Sequence, residues 1–457
     1  MNLVLAFDLG TTHIKWIVLD PESGQRIWSG QSVAGTTTDG LRSEQDPDLI
    51  WNQVKMVMTE VHQYGRLTRI SFSAAMHSFL VVDPDGRPMT ASWTWMDKRG
   101  QATAKSLRCS ELGMLLRQNS GVPIHPMSPL VKWLYIRSHF PSCRPVALKD
   151  YLVFRLTDQW ATDYSTAATS GFLGVDGTWL PEALEISALK PEEMPTLYDM
   201  AWSLPLADER AEVVLGGNDG ATSHIHLRIP PDGRQAVLAM GTSGALRTTL
   251  KNPAYSDELF SYTMGPERGH LVGSAFSNVG NVLAWLSGVF KLTIDEVISD
   301  GITAIRHQKP LPLALPYWFG ERSPWWREDL AGAWLGVEPR HGRSELIGSV
   351  LLSVSASFWH GLSTLDNLES RISELRGGSG LLENPVLAQW MADVLGRRLV
   401  LQDTGDASLW GALDLAGHYP LARDSSGPHF DPRDSSIQTR VKDAWHQIHD
   451  AMQNPLR

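Results

Sequence analysis

Cysteine is nearly missing from this chain: Cys109 and Cys143 are the only two in 457 residues. Neither sits at a metal-type spacing, so the reading is reduced thiols in a cytoplasmic setting, not a disulfide scaffold or a structural zinc site. Basic residues are in the minority too. With 40 Lys and Arg against 50 Asp and Glu, the formal net charge is −10. That balance excludes general binding to nucleic-acid backbones or anionic membrane surfaces and leaves only local basic pockets open. No apolar run approaches the ~18 residues of a membrane span, and the first residues enter a strand without a basic leader, so neither secretion nor membrane insertion is expected. What is present is globular in character: hydrophobic residues at 42% and charged ones at 20% suit two or three domains with full cores.

Residues 3–20 organise the rest. An apolar run, Leu3-Val4-Leu5-Ala6-Phe7, delivers Asp8, turns over Leu9-Gly10-Thr11-Thr12 and resumes at Ile14-Lys15-Trp16-Ile17-Val18-Leu19. The pattern predicts a β-hairpin with a carboxylate at its mouth. Gly10 lets the backbone bend and approach a ligand closely, and Thr11 and Thr12 set hydroxyls beside main-chain N–H groups, a combination suited to phosphate oxygens. Asp8 is placed to hold magnesium, usually through water. An ordinary hairpin satisfies the same pattern, and what lifts the phosphate reading is an echo at 235–249. There the run Ala236 to Met240 turns over Gly241-Thr242-Ser243-Gly244 and returns through Ala245-Leu246-Arg247-Thr248-Thr249. Two such hairpins, one opening each half, predict a duplicated chain that grips a nucleotide's phosphates between two loops. The arrangement resembles the group formed by actin, the heat-shock chaperones and the sugar kinases.

Between the hairpins, Asp46-Pro47 predicts a helix start, with Ile50, Val54, Val57, Met58 and Val61 at helical spacing until Gly65. Residues 69–73 predict a strand ending at 74–77, and 91–99 a strand finishing in polar groups. A proline-rich loop at 121–133 runs into a helix from Pro129, and a short helix covers 149–156. Glu212 to Leu215 predict a strand that breaks at Gly216-Gly217 and passes into a helix. The linker at 229–233 divides the chain into domains 1–231 and 232–457. In the second half, Leu346, Val350, Val354, Phe358, Leu362 and Leu365 mark a long helix. Glycines follow at 377–378, then helices at 386–395 and 407–416, and a polar tail with a helix near 441–452.

Four longer motifs then fall in one order: Ser71-Phe72-Ser73-Ala74-Ala75-Met76-His77-Ser78, Trp95-Met96-Asp97-Lys98-Arg99, Val122-Pro123-Ile124-His125-Pro126-Met127-Ser128-Pro129 and Gly320-Glu321-Arg322-Ser323-Pro324-Trp325-Trp326. Through them the chain resembles the FGGY carbohydrate kinases from residue 3 to about 417, and within that family it is most similar to the gluconokinases. The resemblance implies an α/β fold of two ribonuclease-H-like domains around an interdomain cleft, the first binding sugar and the second nucleotide. It implies Asp219 as the catalytic base, and Asp8 with Asp219 as the site of magnesium (Mg2+). Gly10, Thr11, Thr12 and Lys15 on one side and Gly241, Thr242 and Ser243 on the other would hold the phosphates of ATP. Gly377, Gly378 and Asn384 would meet adenosine, and Met76, His77, Trp95, Asp97 and Arg99 the acceptor. A gluconate carboxylate calls for a cation, for which the Arg99 fork is the natural choice, with Lys98 or Lys132 adding charge. The residues agree on the base: an aspartate between a strand end and a helix start can project into a cleft and accept a hydroxyl proton. Helix N-cap is the other role that suits Asp219.

The chain departs from the family pattern in three places. About two extra residues follow the glycines, Leu352-Ser353 stands where the family has glutamate and glycine, and 289–316 is short. The expected activity is transfer of the γ-phosphate of ATP to a hydroxyl of an open-chain sugar acid, most of all D-gluconate, giving 6-phosphogluconate. The alternatives are a kinase for xylulose or another ketose or polyol, an ATPase switch of the actin or chaperone type with no sugar acceptor, and a relative that binds ligand without turnover. The expected partners are ATP and a small sugar or sugar acid, with a homodimer as one candidate assembly.

Overall fold

Apolar side chains on both faces of the opening strand require a sheet covered on both sides. In the computed structural model, which describes all residues except 208–209, 369–370, 379, 403–405, 418–426 and 454–457, that sheet is the centre of the first half. Strand β1 (Asn2–Leu9) turns straight into β2 (His13–Leu19), paired antiparallel from Val4↔Leu19 to Leu9↔Ile14. β3 (Arg26–Val33) extends the hairpin, and β4 (Arg66–Ala74) lies parallel on the other side of β1. β5 (Ser203–Pro205) and β6 (Glu212–Asn218) complete the order β5-β6-β4-β1-β2-β3.

Helix α1 (Pro47–Val61), capped by Asp46, packs Ile50, Val54, Val57 and Val61 against Leu3, Leu5 and Phe7. Each such side chain, taken fully out of water, contributes roughly 1.5–3 kcal/mol. α2 (Pro129–Ile136) lies in a separate cluster with Phe79 and Trp93, while α3 (Leu148–Thr157) joins the face of α1. α4 (Asp219–His226) follows β6 without a gap.

The second half repeats the plan. β7 (Asp232–Met240) and β8 (Gly244–Leu250) form the second hairpin, extended by β9 (Phe260–Thr263) and β10 (His270–Phe276). After α5 (Gly280–Phe290), α6 (Ile294–Arg306) and α7 (Arg343–Asp366), β11 (Glu374–Gly378) pairs parallel with β7 and β12 (Arg398–Gln402) parallel with β11. With β13 (His429–Phe430) the order is β9-β10-β8-β7-β11-β12-β13. The two sheets thus share one core, β3-β2-β1-β4-β6 and β10-β8-β7-β11-β12, each an antiparallel trio followed by two parallel strands. This is the duplicated ribonuclease-H-like architecture.

α7 is long and apolar enough to cross a membrane by composition, yet 78% of its most apolar window is buried. Its Ile347, Val350, Val354 and Phe358 pack against Leu238, Leu246 and Val272, which makes it a core helix. α8 (Pro385–Leu395) and α10 (Ser436–Gln453) complete that layer. α9 (Ala407–Ala416) follows the second sheet in sequence but packs Leu409, Ala412, Leu413 and Ala416 onto Val4, Ala6, Ile17 and Leu19 of the first. α4 makes the reverse crossing, with His224 Nδ1 2.9 Å from Thr249 Oγ1 on β8. Each half therefore completes the other.

Candidate active site

The cleft floor is set by one glycine. β6 does not break at Gly216 as the sequence predicts; it runs on to Asn218, with its register against β4 shifting between Val214 and Gly217. Gly216 has φ +67°, and a Cβ there would lie 1.7 Å from the Phe72 carbonyl oxygen, so no larger residue fits the bulge. The bulge delivers Asn218 as the cap of α4: its Oδ1 accepts from Ala221 N–H at 2.8 Å, and its Nδ2 donates to the Ser165 carbonyl at 2.7 Å. The capping role that competed for Asp219 thus belongs to its neighbour. The half-buried Asp219 carboxylate accepts from Gly220 N–H at 2.8 Å. Burial pushes its pKa above the ordinary value, against the opposing pull of the Arg247 charge and the N–H groups of Gly220 and Met76.

Asp8 ends β1 opposite Ser73 of β4 and Lys15 of β2, and Ser408 Oγ of α9 donates to it at 3.0 Å. Burial, then the Asp219 charge, raise its pKa to about 6, with Ser73, Ser408 and Lys15 acting the other way. Two carboxylates that disfavour each other's ionisation fit a cation that would relieve both. Among the described residues no group of three or more His, Cys, Asp or Glu could enclose a metal. Asp8 and Asp219 would be the groups to hold magnesium, which takes one or two carboxylates and keeps several waters.

The two predicted phosphate turns are formed as tight turns. Gly10 N–H closes the first on the His13 carbonyl at 3.1 Å, Gln45 Nε2 donates to the Gly10 carbonyl at 3.1 Å, and the Thr36 hydroxyl donates to the Thr11 backbone carbonyl, while Thr12 is exposed. In the second, Gly241 N–H meets the Ser243 carbonyl at 2.9 Å, and Gly280 and Asn281 at the head of α5 donate to the Gly241 and Thr242 carbonyls, both at 3.0 Å. Gly377 and Gly378 end β11 beside β7, with Gly377 opposite Leu238. Gly380, at φ +73°, lies so close that a Cβ would come within 2.6 Å of the Met240 carbonyl. The second turn, the head of α5 and the glycine pair therefore form one surface; Ser379 lies outside the described residues.

Two nucleotide expectations need correcting. Lys15 is not free for phosphate: its Nζ pairs with Asp406, just ahead of α9. Asn384 is the N-cap of α8, its Oδ1 accepting from Val386 and Leu387 N–H at 2.9 and 3.2 Å and its Nδ2 donating to Asp295 at 2.6 Å. The amide oxygen is spent on the cap, and one N–H of the nitrogen on Asp295.

The acceptor residues divide. Met76 lies beside Asp219 through its backbone N–H. His77, at φ +63°, is buried, with Nδ1 2.8 Å from the Thr169 carbonyl and Nε2 3.4 Å from the Tyr262 hydroxyl. Burial, then the Lys132 charge, hold its pKa down at about 3, so the imidazole is neutral at physiological pH. The carbonyl partner assigns the proton to Nδ1 and leaves Nε2 as an acceptor. Trp95 is half-buried under the Arg322 guanidinium, 4.8 Å from the ring centroid.

Asp97 and Arg99, by contrast, are spent on each other. Arg99 Nε and Nη2 grip Asp97 Oδ2 at 2.9 and 2.7 Å, and Nη2 also meets Glu44 at 2.8 Å. The guanidinium lies 3.5 Å over the Trp93 ring, and fully buried Asp97 also accepts from Ser43 N–H at 2.9 Å. This is a structural pair, not a free fork for a substrate carboxylate. Lys132 Nζ likewise donates to the His77 and Thr94 carbonyls, both at 2.8 Å, and burial lowers its pKa to about 7. Lys98 Nζ donates to the Phe319 carbonyl at 3.4 Å.

The residues that sequence reasoning gave no role are Arg247, Tyr262 and Arg322, whose charges or rings meet at His77 and Asp219. One signal was available: Arg247 interrupts an otherwise uncharged returning strand. The others come from segments far apart in the chain.

Family models match both halves: the N-terminal domain of the FGGY family of carbohydrate kinases over residues 3–216 and the C-terminal domain over 236–419. A gluconokinase from Bacillus licheniformis is 28% identical over 449 residues, covering 91% of this chain and 87% of that protein. A xylulose kinase from Escherichia coli (strain K12) is 26% identical over 447 residues, covering 91% and 89%. The crystal structure of ligand-bound xylulose kinase from Lactobacillus acidophilus superposes with a TM-score of 0.90 at 24% identity, covering 99% of each chain. With both domain models matched in order on a duplicated fold, the chain belongs to the FGGY family and is a carbohydrate kinase.

Proposed function

We propose that this kinase phosphorylates an open-chain sugar acid, with gluconate the first candidate, using ATP and magnesium. The observation that carries the reading is the uncapped Asp219 carboxylate, with Asp8 and the first turn on one side and Met76 and His77 on the other. Asp219 takes the proton of the acceptor hydroxyl while its oxygen attacks the γ-phosphorus in line. The bond from that phosphorus to the β,γ-bridging oxygen breaks, and the electron pair leaves on ADP. A hydroxyl is far less acidic than a carboxylic acid, so proton transfer comes late and general-base help is on the order of 10²–10⁴-fold. A magnesium ion held through water by Asp8 and Asp219 would supply charge neutralisation at the phosphates. His77 Nε2 can accept from a sugar hydroxyl, and the turns at 10–12 and 241–243 offer backbone N–H groups and hydroxyls to phosphate oxygens. In this reading domain 1–231 binds the sugar, domain 232–457 binds the nucleotide, and the enzyme works in the cytoplasm.

The gluconokinase relatives favour gluconate. A second reading, a ketose kinase for xylulose, is favoured by the mutual neutralisation of Asp97 and Arg99, which removes the expected carboxylate fork. A coupled assay of ADP formation with gluconate, other sugar acids, xylulose and polyols separates them. The proposal expects the highest kcat/KM with gluconate and little turnover without an acceptor. A preference for xylulose would replace the first reading by the second, and ATP turnover independent of acceptor would overturn both.

A further inference from the structure

Nearly every cation near the cleft is already engaged. Arg99 is held by Asp97 and Glu44, Lys15 by Asp406 and Arg108 by Glu328. Lys132 is spent on the His77 and Thr94 carbonyls, and Arg117 gives its Nη2 to the Ser256 and Leu259 carbonyls, although its Nη1 is buried without a partner among the described residues. Arg247 differs in standing beside Asp219. Its buried Nε has no hydrogen-bond partner among the described residues. It stands on β8 opposite Gly273, on the strand face shared by Ala245 and Thr249 that meets α4. Its Nη1 lies 3.4 Å from where a Cβ on Gly220 would be, one residue from the base.

Arg322 is anchored at the end of β10, the strand next to β8. Its Nη2 donates to the Phe276 carbonyl at 2.7 Å and its Nε to Ser277 Oγ at 3.3 Å, which fixes the fork over Trp95. The Glu321 carboxylate answers part of its charge and is itself held by the N–H groups of Ser277 and Arg322 at 2.7 and 2.8 Å and by Asn278 Nδ2 at 3.1 Å. The two guanidiniums repel each other, and the charge of each reaches Asp219 and Tyr262. Asp219 is the shared carboxylate on which they converge, and in the proposed reaction its charge is drawn toward the metal and the hydroxyl proton. A buried guanidinium N–H left unpaired is costly, so the site suits an anion that arrives with a ligand. Asp8, Lys15 and Ser408 lie at the first turn, whereas the arginines reach His77 and Tyr262, so that anion lies on the acceptor side of the base.

We propose that Arg247, with Arg322 beside it, binds the carboxylate of the acceptor and selects sugar acids over neutral sugars. This rests on the sugar-acid reading above and takes over the role that Arg99 cannot fill. Because β8 belongs to the second sheet and carries the 241–243 turn at its head, a carboxylate caught there also links acceptor binding to the nucleotide side of the cleft.

The test is the ratio of kcat/KM for gluconate to kcat/KM for xylulose in the wild type, Arg247→Met and Arg247→Lys. Loss of a charge-assisted fork lowers that ratio by about 30-fold in Arg247→Met and about 10-fold in Arg247→Lys, which keeps a charge but not the planar geometry. A parallel fall with both acceptors would place Arg247 on the transferred phosphoryl group or the base, and would overturn the inference. If Arg247→Met does not fold, Arg247→Lys decides, and an unchanged ratio overturns it. A wild type that prefers another sugar acid to gluconate refutes the gluconate assignment alone, since the ratio is then read with that acid. A wild type that turns over no sugar acid refutes both.

Discussion

At the scale of single residues, the Asp97–Arg99 pair shows what spacing reveals and what it hides. An acid and an arginine two positions apart after a strand look like acceptor-binding groups, the arginine a fork for a carboxylate, but the same spacing lets them close on each other, and Trp93 and Glu44 complete the enclosure. Sequence names the residue types; it does not name their partners. Arg99→Ala should therefore act on stability, because it strands a fully buried carboxylate. The expected cost is roughly 3–5 kcal/mol in urea unfolding, with the gluconate-to-xylulose ratio of the folded fraction unchanged. A change in that ratio without destabilisation would restore Arg99 to the substrate.

Asp8 makes a second prediction at this scale. Its native pKa of about 6 lies above the ordinary 3.8, so the folded state holds that proton more tightly than the unfolded chain. Without metal, the Asp8 contribution to stability therefore falls as pH rises from 3.8 through about 6, and ionisation costs on the order of 3 kcal/mol above that window. Asp8→Asn should be more stable than wild type at pH 8 and no more stable below pH 4. Magnesium should raise the melting temperature of the wild type at pH 8 more than at pH 5, and that of Asp8→Asn at neither. A metal-free wild type that is more stable at pH 8 than Asp8→Asn would contradict this account of the site.

At the scale of elements, hairpins and amphipathic helices were legible because their patterns are local. The run at 407–416 predicts its helix with the observed bounds, and the two hairpins fall where the apolar runs and turns place them. The packing partner of α9 was not legible, since nothing in its own sequence says that it crosses to the other sheet. Strands β9 and β10 were hidden because they are buried with polar residues in place, among them Ser261, Thr263, His270 and Ser274. The crossing of α4 and α9 depends on Gly411, where a Cβ would lie 1.9 Å from the Thr222 carbonyl oxygen. Gly411→Ala should push the helices apart, costing about 1–3 kcal/mol. It should also lower kcat, because Ser408 on α9 touches Asp8 and Asp219 heads α4. A variant with reduced stability and wild-type kcat would separate the crossing from catalysis.

At the scale of the whole molecule, the repeated hairpin made the two-fold plan readable, whereas the proposed role of Arg247 and Arg322 was not, since these second-half residues meet Asp219 and His77 of the first half only after the halves are assembled. An interdomain cleft that holds both substrates is expected to close on them, excluding water as a competing acceptor. The most direct measurement is ADP formation by wild type and Asp219→Asn, with and without sugar acid, alongside ATP binding by calorimetry. The account predicts acceptor-dependent turnover in the wild type, a loss of at least about 10²-fold in Asp219→Asn, and ATP affinity within about threefold of wild type. Acceptor-dependent turnover that survives Asp219→Asn at the wild-type rate would contradict it.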